Sequence, residues 1–453
     1  MRSITYETSE TQVETVSAFL MMVLEYCTEI GLFRLLEQMV QVKMKAVVYS
    51  LLHKAQTVIV SLVMGCAHTK AINERLADEM VAAHYLGMAR FPDQSQINRY
   101  LTRFDAANVA QLGEVHAQVF MQESRARRAA GMIVVDIDQC GLVANGKSYE
   151  FARKGYFPRK RGQQGYQLSA AFVGAYDEAL QLYLDPGNTP CRNRLPDLLR
   201  DIDRLLATDN PGVHVIRRLD AGYDGADERR LLAGLPGYFI LKSHQPDLAA
   251  RLAPAIPLHH WLPVTDGVHG VELLPQDGVR RLLYELVLSD GSLEYSLLYT
   301  NLPQAQFGVI RCFHFYNERQ LIEAFFRQSR HVFNIQNLRS RQFHAIYAFL
   351  RFVFLTHNVI HWAKQARFAH TELATASTAD LVVHVARVRA QVRRDVQGWH
   401  LSIARSTRWA ALLLDALSPR VFQLELPFAC LHKTESARAA PGFKRPNCKA
   451  RGR

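Results

Sequence analysis

The sequence has no CxxC pair. Its seven cysteines, Cys27, Cys66, Cys140, Cys191, Cys312, Cys430 and Cys448, are scattered through 453 residues. That spacing argues against a zinc ribbon and against a disulfide scaffold, and it fits a reducing cytosol. No stretch reads as a membrane span. The most apolar run, 46–66, is broken by His53, Lys54 and Gln56 and reads as a buried helix. The polar N-terminal stretch lacks a signal-peptide pattern, so a cytoplasmic location is expected. Acid is scarce relative to base: 42 Asp and Glu face 54 Lys and Arg, for a net charge of +12 and a pI near 9.4. Such an excess points to a polyanionic partner, nucleic acid before membrane. What remains is ordinary for a globular protein, with 49% hydrophobic residues and length for two or three domains.

The first 130 residues read as mostly helical, over 13–40, 54–66 and 71–86. The last is amphipathic, with Arg75, Asp78 and Glu79 outward. In FPDQSQINRYLTRFD, at 91–105, Pro92 punctuates and Asp93 or Ser95 can cap a new helix. Its wet side would carry Gln96, Asn98, Arg99 and Arg103, the outline of a helix-turn-helix DNA reader.

The middle third reads as strands that carry acid. In MIVVDIDQ, at 132–139, Asp136 and Asp138 point to one face of a strand. Two carboxylates on an apolar strand are costly to desolvate, and a metal or a hydrogen-bonded strand end would offset that cost. Residues 168–176 and 180–184 alternate as strands around a turn at Asp177 and Glu178. A helix at 195–206 leads to the strand VHVIRRL, which ends on Asp220 before Ala-Gly-Tyr. An acid there sits where open α/β sheets place ligands. A helix at 227–235 and a strand at 238–242 complete a mixed α/β sheet flanked by helices. A dense basic loop follows the acidic strand: Arg153, Lys154, Arg159, Lys160 and Arg161 would lie along a phosphate backbone. Residues 245–309 break the alternation and read as a β-rich insertion, with Asp290-Gly291 as a hairpin turn.

The stretch HFYNERQLIEAFFRQSR, at 314–330, follows the insertion. On a single helix Tyr316, Arg319 and Glu323 share one face, and Arg330 drifts only about 40° from it. Leu321, Phe325 and Phe326 can pack around that line. Residues 340–367 form a long apolar helix in which His357, Asn358 and Trp362 read as packing and hydrogen-bonding residues. A further helix is expected at 382–397, with Arg387, Arg389, Arg393 and Arg394. The polar, basic tail from Ser436 reads as disordered chain suited to lie on nucleic acid.

Asp138, Asp220 and Glu323, in this order and with an insertion before the third, resemble the DDE transposases of bacterial insertion sequences. The likeness covers roughly residues 132–364. Its most specific part is a signature of the cut-and-paste group: Tyr, two residues, Arg, three residues, Glu, six residues, Lys. Here Tyr316, Arg319 and Glu323 match and Arg330 stands in for the lysine, a planar fork in place of a point charge. Arg218-Leu-Asp-Ala-Gly-Tyr223 matches the second-acid motif, and Thr300-Asn-Leu-Pro303 the strand that closes the insertion. Gln139 and Cys140 stand where the family commonly has Ser or Thr and then Thr. Asp138 is preferred as first acid because the family's aspartate precedes that pair, with Asp136 as its rival on the same face.

The resemblance implies an RNase H-like catalytic domain at 131–370 with its insertion at about 245–312. A helical DNA-binding region at 1–130 and a helical C-terminal region with a basic tail at 371–453 flank it. It implies Mg2+-dependent cleavage and strand transfer, with Asp138, Asp220 and Glu323 as catalytic acids and metal ligands. Two ions ~4 Å apart, with Mn2+ able to substitute, would serve in-line displacement at phosphorus. Tyr316, Arg319 and Arg330 would grip phosphates, and Trp261 could stack on an unpaired base. Double-stranded DNA, as terminal inverted repeats and target, is the implied partner. A homodimer on paired ends and a nucleoid-associated location follow from the same likeness. A silent DNA-binding descendant and a nuclease of the same fold stay open as alternatives.

Overall fold

The computed structural model describes residues 15–45, 48–155, 157, 162–207, 212–395 and 398–417. The basic-loop residues Arg159, Lys160 and Arg161 and the tail from Ser436 lie outside them.

A short strand β1 (Thr15–Ser17) leads into helices α1 (Ala18–Glu29), α2 (Leu32–Met39), α3 (Leu51–Val63), α4 (Lys70–Arg75), α5 (Met80–Tyr85), α6 (Gln94–Leu101), α7 (Ala106–Glu123) and α8 (Arg125–Arg128). Local chemistry starts several of them. Asp93 caps α6 by accepting from Ser95 N and Gln96 N at 2.9 and 3.0 Å, and Asp105 with Asn108 forms a capping box on α7. The helix expected at 71–86 is instead two short ones. Glu79, between them, is buried rather than outward, accepting from Ser17 N at 3.1 Å and pairing with Arg389. Its long-range partners override the local amphipathic pattern.

The sheet begins with β2 (Met132–Val143), β3 (Arg153–Lys154), β4 (Gln164–Val173) and β5 (Glu178–Pro186). It continues through α9 (Leu195–Leu206), β6 (His214–Leu219), α10 (Ala226–Ala233) and β7 (Tyr238–Lys242). Five strands run in the order β5-β4-β2-β6-β7. The pairs β5·β4 and β4·β2 are antiparallel, and β2·β6 and β6·β7 are parallel. This is the RNase H-like order expected from the sequence. Gly155 fits beside β3 because a Cβ there would lie 1.6 Å from the Gly187 carbonyl oxygen.

The insertion holds α11 (Pro246–Leu252) and strands β8 (Leu262–Thr265), β9 (Val268–Gln276), β10 (Val279–Val287) and β11 (Leu293–Thr300). It prolongs the same sheet, because β11 pairs antiparallel with β7. Its return is fastened by side chains: Thr300 Oγ1 donates to Phe239 O at 2.6 Å, and Asn301 Oδ1 accepts from Phe239 N at 2.7 Å.

Three helices follow, α12 (Val309–Asn317), α13 (Gln320–Val332) and α14 (Phe343–Phe368). The single helix expected over 314–330 is therefore broken at Glu318 and Arg319. Among the described residues α14 is the one helix long and apolar enough to cross a membrane, but 83% of its apolar window is buried in the fold. It is a core helix, packed against α1, α3, α6, α7 and β5.

The helix expected at 382–397 is also corrected. A short π turn and a 3-10 turn run to Arg387, and then β12 (Arg389–Asp395) pairs with β13 (Gly398–Ile403) and with β1. Ala390 is fully buried between exposed Arg389 and Gln391, so the local period is two and the arginine spacing misleads. The last described helix is α15 (Arg408–Leu417).

One ion pair sits at the centre of the sheet. Arg218 holds Asp136 bidentately, Nε to Oδ1 at 2.5 Å and Nη2 to Oδ2 at 2.9 Å, with both side chains at most 2% exposed. The two residues face each other in the β2·β6 register. Asp136→Ala leaves a buried guanidinium whose remaining carboxylate is the exposed Glu318 at 3.5 Å and should destabilise the fold by about 3–5 kcal/mol, read as a lowered urea midpoint at unchanged m-value.

Candidate active site

Asp138 lies on β2 two residues after Asp136 and shares its face. It is 8% exposed. Asp136 is paired bidentately with the buried Arg218, whereas Asp138 is paired with Arg319. Asp220 follows the last residue of β6 and accepts from Gly222 N at 3.1 Å. Glu323 stands in the first turn of α13, with its side chain 57% exposed. Three carboxylates from three separate elements thus gather at one end of the sheet.

Their charges are felt between them. Burial pushes the Asp138 carboxyl up to about 6, the charge of Asp220 adds to the rise, and the Arg319 guanidinium and the Gln139 N–H oppose it. Burial also raises Asp220, with Glu323 adding to it and Arg319, the Gly222 N–H and Lys242 counteracting.

Arg319 occupies the gap. Its guanidinium lies 2.9 Å from Asp138 Oδ2 and donates to Glu323 Oε1 at 2.8 Å. The helix break at 318–319 makes this possible, because Arg319 becomes the N-cap of α13 instead of a mid-helix residue. Tyr316, Arg319 and Glu323 therefore come from the end of α12, the junction and the first turn of α13. Tyr316 is half-buried, and burial raises its phenol, with Arg319, Asp220 and Asp138 close enough to modulate it. Arg330 is half-buried beside Cys140. Cys140 is on the same face of β2 as Asp138, one repeat further along, about 7 Å.

Other expected contacts are more distant from the acids. Arg153 and Lys154 are exposed on β3. Trp261 is half-buried just before β8. Arg99 and Arg103 are exposed on α6 and the turn after it, where they line a cavity of about 470 Å³ with Lys43, Lys45 and Lys54. Those three lysines escaped sequence reasoning, although Lys43-Met-Lys45 was a visible signal. Lys242, Cys191 and Tyr223 were missed as well. Lys242 extends β7 one step beyond the Leu219·Leu241 pair and so comes level with Asp220. Burial pushes the Cys191 thiol up to about 12, with help from Asp220 and then Asp138.

The family profile described as "Transposase DDE domain" matches residues 129–359, half of the chain, and spans all three acids. The chain belongs to the DDE transposases. A second profile, "Transposase DDE domain group 1", matches residues 13–231. No curated protein matches this transposase. Among solved structures it is similar to piggyBac transposase in its synaptic complex with hairpin DNA, at 10% identity and a TM-score of 0.46 over 83% of this chain and 82% of that one. It is also similar to the Mos1 transposase paired-end complex with left transposon end, at 13% identity and a TM-score of 0.15 over 43% of this chain and 58% of that one.

The transposase carries the oxygen-only donor set that hard divalent cations take, at a place where the carboxylates repel each other without one. Its site therefore fits the divalent metal that its family uses. The raised Asp138 value has a definite sign. The stability this carboxyl contributes is present below its unfolded value and is lost as pH rises through about 6. In metal-free protein a 13C-labelled Asp138 should titrate near pH 6. Arg319→Gln should move the titration higher, because the guanidinium lowers it. A value that stays put or falls would show that Arg319 does not act on Asp138.

Proposed function

We propose that this transposase cuts DNA at the ends of a mobile element and joins the freed ends to target DNA. The reading is carried by one observation: Asp138, Asp220 and Glu323 converge from β2, β6 and α13, and the two aspartates are both raised. Mg2+, with Mn2+ as substitute, is the hard, oxygen-seeking ion that suits this set. Bound there, a pair of such ions supplies Lewis-acid stabilisation of the attacking and leaving oxygens.

The chain's own residues do the rest. Asp138, Asp220 and Glu323 would hold the ions through carboxylate oxygens. Arg319, which bridges two of the acids, offsets their repulsion and would donate to a phosphate oxygen of the bound strand. Tyr316 and Arg330 flank it on the same side, where a phosphate contact suits their donors. Lys242 adds a further cation beside Asp220. Water attacks the element end first, and the freed 3′-hydroxyl then attacks the target strand. Arg153 and Lys154 on β3 and the cationic cavity at Arg99 and Arg103 are suited to hold duplex DNA away from the cut. Terminal inverted repeats as substrate, a homodimer on paired ends and a cytoplasmic, nucleoid-associated location complete the proposal.

Asp138→Asn, Asp220→Asn and Glu323→Gln should each lower cleavage of an end-containing duplex with Mg2+ or Mn2+ by about a thousandfold, the rate equivalent of ~4 kcal/mol, while leaving duplex binding in place. Glu323→Gln cutting like wild type would remove the third acid from the reading. A duplex that is bound but never cut would mark a silent DNA-binding descendant. Cut ends that never enter a target plasmid would mark a nuclease. Binding should also weaken steeply with salt, and Arg99→Ala or Arg103→Ala should each reduce the slope of log K against log salt by about one. Affinity that is flat from low to moderate salt would dismiss the cationic cavity as a DNA contact.

A further inference from the structure

A second cluster of ligand atoms lies away from the three acids, on the turn between β4 and β5. Asp177 occupies that turn in the left-handed region, at φ 59°. His357 and His361 stand one helical turn apart on α14, so both rings reach the same spot. His361 Nδ1 is 3.1 Å from Asp177 Oδ2, and His357 Nε2 is 3.8 Å from Oδ1 and 3.0 Å from the Asp177 carbonyl oxygen. One ligand atom from each residue falls within 4.8 Å of the other two. A tetrahedral ion with bonds near 2.1 Å needs its ligands roughly 3.4 Å apart, so the 3.1 Å pair would open and the wider pairs would close on the ion.

Two features suit a metal here. His361 Nε2 is bonded to Thr378 Oγ1 at 2.7 Å, the kind of outer contact that fixes the tautomer of a ligating imidazole. When the ring donates that bond, the Nδ1 lone pair faces a carboxylate oxygen and a cation between them stabilises the pair; in the other tautomer Nδ1–H donates to Asp177 directly. The Asp177 side chain is 43% exposed and borders a cavity of about 400 Å³ that also touches His361. That gives an ion a way in and a water a fourth coordination position.

The nearby charges select the ion. Lys364, whose Nζ donates to Ala376 O at 3.0 Å, and Arg125 are the cations near the cluster. One carboxylate against two cations is poor for a hard ion such as Mg2+. Two neutral imidazoles suit a borderline ion. We propose that Asp177, His357 and His361 form a transition-metal site, matched to Zn2+, that clamps the β4–β5 turn onto α14. The site abuts α13, since the Phe325 ring meets the His357 ring edge-on at 4.9 Å, and α13 carries Glu323. It does not depend on the catalytic reading.

The test uses the full chain with Asp138→Asn and Asp220→Asn, so that those carboxylates cannot hold the ion. The protein is stripped with chelator, reloaded with zinc chloride alone, dialysed and assayed by mass spectrometry for metal. About one equivalent of zinc per chain is expected. It should be lost in His357→Asn and His361→Asn, and Thr378→Val should weaken it about 10–100-fold. Cobalt(II) should give a visible tetrahedral band that disappears in Asp177→Asn, a change at a half-exposed turn that serves if the buried histidine variants do not fold. No retained zinc in the reloaded chain, or undiminished zinc in the variants, would overturn the site.

Discussion

The buried pair between Asp136 and Arg218 sets the geometry of everything around it. It joins β2 to β6 across a parallel register, and each partner lies two residues before an acid of the site. Arg218 also donates to the Phe315 carbonyl near the end of α12 and lies over the Phe315 ring at 5.1 Å. One guanidinium therefore ties together the strand of Asp138, the strand of Asp220 and the helix whose end turns the chain toward Glu323. Two charges in the interior are costly, and bidentate geometry with a third hydrogen bond offsets that cost. A uniquely oriented frame is what the arrangement provides.

On that frame the site concentrates like charge. Burial and mutual repulsion disfavour the ionised forms of Asp138 and Asp220, and Arg319 relieves part of the conflict by bridging Asp138 and Glu323. A cation held by carboxylates can be exchanged for a divalent ion, provided it has another anion to move to. In a DDE transposase a DNA phosphate is such an anion.

The core helix braces the neighbouring β4–β5 hairpin. α14 runs through the core and fixes the β4–β5 hairpin: Asn358 bonds both the N–H and the carbonyl of Ala179 at 2.8 and 2.7 Å. Glu178 is buried, taking Trp362 Nε1 at 3.0 Å, Ser124 Oγ at 2.6 Å and the Arg125 N–H at 2.7 Å. The turn that carries Asp177 is thus held by polar contacts from α14 and from the start of α8. α13 packs over it through Phe325, stacked on Phe172 at 4.5 Å.

Much of the catalytic domain was legible in the residues themselves. The runs 132–139, 168–176, 180–184 and 213–219, with Asp138 and Asp220 at their expected places, announce a mixed sheet because side-chain period is a local consequence of sequence. The spacing of Tyr316, Arg319 and Glu323 carried the resemblance. Tertiary structure alone decided which cation pairs with each of Asp136 and Asp138, since Arg218 lies 82 residues from Asp136 and Arg319 belongs to a helix beyond the insertion. It alone broke the helix at Arg319, turned 389–395 into a strand and buried Glu79. Each of these rests on a partner far along the chain. Helical and strand periodicity report a residue's neighbours in sequence, while charge pairing and burial report its neighbours in space.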